Sequence, residues 1–186
     1  MHVIAMTATP NHLQHLSRAL ILKHLEDLDS ELEKTATKGE VVLFGGAVMV
    51  LVFNARPATK DVDAIFHPKD VMRQAILKVA AKNHLPDDWM NDAVAGFISE
   101  KGQKRVLFEL PHLSIHVPTP EYLLAMKALA ARVDATDQDD VKFLLKTLKI
   151  NSAHEVFALI EEYYPRKIIK PATQFFIEEI MDAANN

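Results

Sequence analysis

From Val41 to Phe53 the chain runs thirteen residues without one charged or polar side chain. A stretch this apolar must be buried, yet it falls short of the roughly 20 residues that span a bilayer. Gly45-Gly46 divides it, which predicts a strand over 41–44, a tight turn, and a buried helix over 46–54. A buried strand feeding a buried helix needs further sheet and helix on both sides, so the chain must fold around a layered core.

The flanks supply those layers. Leu13, Leu16, Leu20, Leu25, Leu28 and Leu32 recur near helical spacing after Thr9-Pro10, predicting a first helix with one buried stripe. Arg56-Pro57-Ala58-Thr59 reads as a loop, 60–66 alternates as a strand, and 68–83 is helical. A short helix is expected around 89–97. Two strands, 104–110 and 113–117, turn at Pro111-His112. Beyond Thr119-Pro120 the pattern is helical. Thr136-x-x-Asp139 and Ser152-x-x-Glu155 resemble capping boxes, Asp139 itself reading as a cap, and Phe175, Phe176, Ile177 and Ile180 are expected in the core. The expected class is α/β (α+β): a small mixed sheet with flanking helices over 1–118, then a helical part over 119–186.

Composition limits the function. With 21 basic and 25 acidic residues the net charge is −4, which argues against a generally basic, histone-like surface. At 49% hydrophobic and 25% charged residues, wholesale disorder is excluded. No cysteine is present, so there is no disulfide framework, thiolate zinc site or cysteine nucleophile. The N-terminus lacks signal-peptide character, and a soluble, cytoplasmic protein without membrane contact is expected.

Two features carry chemistry. Gly45-Gly46 between strand and helix brings backbone amides close to whatever occupies the turn, and phosphate suits such a place. Neither a G-x-G-x-x-G nor a P-loop pattern is present, so alone it reads first as a structural turn. In Lys60-Asp61-Val62-Asp63-Ala64-Ile65-Phe66, alternation sends Asp61 and Asp63 to one face and Val62, Ala64 and Phe66 to the core. Their α-carbons lie only about 7 Å apart. A divalent cation relieves the repulsion, and oxygen-only donors suit Mg²⁺ or Mn²⁺. Alone, the pair reads first as two solvated aspartates on the exposed face of an edge strand. Nine histidines include no H-E-x-x-H; His12 with His15, and His112 with His116, share faces as surface or half-buried groups. Trp89 is expected to pack. Lys101, Lys104 and Arg105, and Arg166, Lys167 and Lys170, are basic clusters at element ends.

The Gly-Gly turn, an Arg-x-x-Thr-Lys loop and the Asp-x-Asp pair follow one another within one strand–helix–strand unit. In that order the chain resembles the DNA polymerase beta-like nucleotidyltransferase superfamily. More narrowly it is similar to AbiEii-type nucleotidyltransferase toxins and related bacterial proteins, over about residues 40 to 145. The narrower likeness rests on Arg56, Thr59, Asp61 and Asp63, on the run Leu124-Ala125-Met126-Lys127-Ala128-Leu129-Ala130-Ala131-Arg132, on Asp137 and Asp140, and on Trp89-Met90-Asn91-Asp92.

The resemblance implies a sheet of the nucleotidyltransferase type and transfer of a nucleoside monophosphate from a nucleoside triphosphate to an RNA or protein acceptor. It implies Mg²⁺ or Mn²⁺ on Asp61 and Asp63. Gly45, Gly46, Arg56, Thr59 and Lys60 would lie around the nucleotide, and Lys127 would pair with the triphosphate, with Asp137 or Asp140 orienting it. A cognate antitoxin protein is implied as partner. Periodicity alone would instead let Lys127 snorkel to solvent. The superfamily usually adds a third carboxylate on a neighbouring strand; here the candidate strands offer Glu109 and His116. A degenerate member that binds nucleotide or a partner is the alternative.

Overall fold

The computed structural model describes residues 15–130 and 135–185. The expected first-helix opening at Thr9-Pro10, together with Leu13, His12 and Arg132, lies outside them. Helix α1 (Arg18–Glu33) starts where Ser17 accepts a hydrogen bond from the Leu20 amide, and it buries Ile21, His24, Leu25, Leu28 and Leu32. Leu16 precedes it, in strand β1 (Leu16–Ser17). The expected stripe is thus interrupted: a two-residue pairing with β3 (Ala58–Thr59) overrides helical spacing at Leu16.

The central sheet contains β2 (Gly39–Leu43), β4 (Val62–His67), β5 (Met90–Asn91), β6 (Lys104–Glu109) and β7 (Leu113–Pro118), in the order β5-β4-β2-β7-β6. β2 runs antiparallel to β4 and parallel to β7, so the sheet is mixed. One face carries Val41, Leu43, Val62, Ala64, Phe66, Ile115 and Val117, all buried. It packs on α1 and on α3 (Lys69–Asn83): a Cβ added at Gly39 would meet Met72 and Leu32.

The other face is covered at one end only. There Phe44 meets Tyr122 edge-on, on α4 (Pro120–Ala130). Behind α4 stand α5 (Ala135–Leu148), α6 (Ala153–Tyr163) and α7 (Pro171–Asn185). Buried side chains of the sheet and of these helices form one continuous cluster. No helix of the described residues is long and apolar enough to cross a membrane.

Several local expectations are corrected. Residues 89–97 form β5 and a 3-10 helix (Ala93–Phe97), not one α-helix; Met90 and Asn91 are pulled into register beside Val62 and Asp63. Residues 58–59 are β3 rather than loop. Thr136 and Asp139 lie inside α5, so Asp139 is not a cap. Phe175 is 71% exposed while Phe176, Ile177 and Ile180 are buried, because Phe176, Ile177, Ile180 and Met181 form one helical stripe and Phe175 falls on the opposite side of the helix. The Ser152 box forms as expected, with Ser152 accepting from the Glu155 amide. Trp89 packs, its indole N–H donating to the Ile76 carbonyl.

Candidate active site

The turn after β2 explains its own glycines. Helix α2 (Gly45–Leu51) is buried nearly all round, and Gly45 enters it at φ +54°, where side chains are strained. A Cβ at Gly45 would stand 2.5 Å from the Asp63 Oδ2 atom. A Cβ at Gly46 would overlap the Arg56 guanidinium and the Thr59 hydroxyl. The missing side chains therefore admit the protein's own polar groups, where the sequence suggested either a structural turn or the approach of a phosphate.

β4 delivers the carboxylates. Phe44 donates its amide to the Asp63 carbonyl at 2.8 Å, holding β4 beside the turn. Val62, Ala64 and Phe66 are buried, and Asp61 and Asp63 are half-buried, as alternation requires. Asp61 stands just before the strand, and Asn91 on β5 donates to its Oδ2 at 3.3 Å. Arg56, Thr59 and Lys60 lie on the segment that β3 clips to β1, with Arg18 donating to the Leu51 carbonyl nearby.

The opposite wall is helical. Lys127 on α4 is only 10% exposed, and its Nζ stands 2.7 Å from Oδ2 of Asp140 on α5. Arg56 reaches the same oxygen at 3.5 Å. Asp140 is 4% exposed, so its charge is buried between two cations. The ammonium faces inward, correcting the snorkelling expected from periodicity.

Gly45, Gly46, Arg56, Thr59, Lys60, Asp61, Asp63 and Lys127 line one cavity of about 470 Å³. Asp140 stands behind it, holding two of its cations. Asp137 lies on α5, with its side chain outside the described residues. His15, which the sequence left as a surface group on a helix, also lines the cavity and precedes β1. Asn91 went unassigned too, although it belongs to the Trp-Met-Asn-Asp block.

Burial, then the neighbouring Asp61 charge, raise the Asp63 carboxyl above its usual range, against the opposing pull of Lys127 and Arg56. The Asp61–Asp63 pair supplies two oxygen donor groups in a cavity whose other charged lining residues, Arg56, Lys60 and Lys127, are cationic. It fits a hard divalent ion, because Mg²⁺ is commonly bound by one or two carboxylates with water and phosphate oxygens completing the shell. Among the described residues no three His, Cys, Asp or Glu side chains converge as a metal cage.

Glu109 does not join the aspartates. It pairs with Ser114, Ser114 with Glu40, and Glu40 with His67, at the far end of β4 from Asp63. β6 is also three strands from β4, roughly 14 Å at about 4.8 Å per strand. His116 shares the aspartates' face but is engaged by Ser114 at 2.9 Å and Glu40 at 3.4 Å.

A mixed sheet with a Gly-Gly turn against an Asp-x-Asp strand, closed by a lysine-bearing helix, defines a nucleotidyltransferase-like protein. Residues 23–143 match the family described as nucleotidyltransferase of unknown function (DUF6036), and the chain belongs to that family. Neither the curated proteins nor the solved structures contain a significant match. Membership supports a general nucleotidyltransferase activity.

Proposed function

We propose that the chain transfers a nucleoside monophosphate from a nucleoside triphosphate to an acceptor hydroxyl on RNA, with Mg²⁺ or Mn²⁺ held by Asp61 and Asp63. The observation that carries this reading is the convergence of both aspartates, Lys127, Arg56 and the Gly-Gly turn around one polar cavity. Bound there, the ion supplies charge neutralisation at the phosphoryl oxygens. Lys127 and Arg56 hold the triphosphate by charge, and Asp140 keeps both cations in place before substrate arrives. Thr59 and Lys60 extend the polar floor. The acceptor oxygen attacks the α-phosphorus, the bond to the bridging oxygen breaks, pyrophosphate leaves, and the hydroxyl proton passes to solvent.

Incubation with α-labelled triphosphates, Mg²⁺ and total RNA tests this. Label should move into RNA with the parent and not with Asp61→Asn or Asp63→Asn. In the toxin-like form of the reading, a cognate partner restrains that transfer. Expression of the parent then arrests growth, and expression of Asp63→Asn does not.

One observation favours a second reading. With Glu109 at the far edge of the sheet and no third carboxylate beside the pair among the described residues, a degenerate nucleotide-binding module is supported. It binds Mg²⁺-nucleotide through the same aspartates and transfers no label even in the parent.

A further inference from the structure

A second chamber opens off the polar cavity. It has a volume of about 220 Å³, and Gly45, Asp63 and Lys127 line both spaces. Its remaining wall is apolar: Ala93, Val94 and Phe97 from the 3-10 helix, and Leu123, Met126 and Ala130 from α4. Apart from Asp63 and Lys127, no described side chain lining it carries a nitrogen or an oxygen. Phe97 is 42% exposed, although it is a large aromatic, and it lines the same chamber as Asp63. Its position is fixed from behind: Tyr164 donates to the Phe97 carbonyl at 2.7 Å, and the Lys167 ammonium lies 6.0 Å from the ring centroid.

Such a pairing of chambers matches a ligand with one polyanionic end and one flat apolar end. Pockets for drug-sized ligands run to roughly 300–1,000 Å³, so the small chamber takes part of a nucleotide, not the whole. We infer that this apolar chamber is the nucleoside subsite, with the base laid against the Phe97 ring and the triphosphate in the polar cavity. The inference rests on the triphosphate reading above. Lys127 stands where the two parts of the ligand join. Because the described wall offers ring faces and aliphatic surface, the base is gripped by its face, and the four nucleoside triphosphates bind within about tenfold of one another.

Titration of the parent with Mg²⁺-tripolyphosphate and with the Mg²⁺ complexes of ATP and CTP separates the two chambers. The parent should bind both nucleotides more tightly than tripolyphosphate. Phe97→Ala should weaken the nucleotides on the order of tenfold and leave tripolyphosphate within twofold, with Phe97→Tyr restoring parent values. Ala93→Phe, which adds a ring to the same wall from an exposed position, should exclude nucleotide and spare tripolyphosphate. Parent affinity for nucleotide in both Phe97→Ala and Ala93→Phe overturns the subsite, as does equal parent affinity for tripolyphosphate and nucleotide. Either result leaves the polar cavity as a triphosphate site. Failure of the parent to bind any of the three ligands overturns the triphosphate reading, and this inference with it.

Discussion

The two faces of the sheet have opposite chemistry although the same strands build both. Towards α1 and α3, every residue of β4 and β7 that points inward is apolar and buried. On the other face stand Glu40, Asp63, His67, Ser114 and His116, joined by β6 groups such as Lys104, which holds Glu40 at 2.5 Å. The difference is one of cover. Helices cover the first face over β2, β4 and β7, whereas α4 closes only the Phe44 end of the second. Asp63 lies level with Phe44, at the seam between covered and open sheet. There a carboxylate is buried enough to be perturbed yet remains open to a ligand.

Substitutions break that comparison most strongly on the covered face. Leu43→Ala removes a fully buried side chain, and thermal or urea unfolding should show a loss of about 3 kcal/mol. Glu40→Gln on the open face should change stability by less than about 0.5 kcal/mol. Equal losses would mean the second face is covered after all.

Next comes the seam. Lys127→Met keeps the stem's packing but leaves Asp140 with Arg56 as its remaining described cation, so a loss of about 2 kcal/mol is expected. Triphosphate binding should weaken with it. Adding Asp140→Asn should recover part of the stability and none of the binding, as read by a double-mutant cycle. Unchanged Mg²⁺-nucleotide affinity in Lys127→Met would remove the lysine from the site.

A smaller effect tests the helical cover through pH. His24 on α1 is buried against Trp89; burial first, and the Lys23 charge second, lower its pKa despite the opposing influence of Asp27. The unfolded chain therefore binds the proton more readily, near pH 6.5. Stability from neutral His24 is present above that pH and declines as pH falls from about 6.5 towards the lowered folded value. Melting temperatures from pH 7.5 to 5.5 should fall more steeply for the parent than for His24→Gln. Parallel curves would show that the imidazole is not the group responsible.

The smallest expected change has the opposite sign. Asp63 sits with a raised pKa, from burial and from Asp61, so its charge is carried at a cost in the ligand-free protein. Asp63→Asn should be neutral or stabilising, by up to about 1 kcal/mol, while abolishing the melting shift that Mg²⁺-nucleotide gives the parent. Equal ligand-induced shifts in both proteins would contradict the metal-site reading.

Much of the site was readable because strand alternation is a local rule. Val62, Ala64 and Phe66 facing in and Asp63 facing out follow from a period of two, whatever surrounds them. The Gly-Gly turn was readable as a turn, but its reason was not: Asp63, Arg56 and Thr59 approach it from positions ten to eighteen residues further along the chain. Periodicity missed Lys127 because α4 is apolar over much of its circumference, and helical spacing does not say which side meets Asp140. The 3-10 helix was lost because short apolar segments suit several conformations, and strand pairing with β4 took Met90 and Asn91.

By itself, the sequence determined the class of elements, the buried stripe of the sheet, the placement of Asp63 on the face of β4 opposite the core, and the absence of cysteine chemistry. These follow from local periodicity and composition, which act over a few residues. Only the tertiary structure decided that Lys127 and Arg56 share one buried aspartate, that Glu109 is too far away to assist, and that an apolar chamber opens beside Asp63. Those are distances between elements far apart in the chain, set by how the sheet orders its strands and by which end of its open face the helices cover.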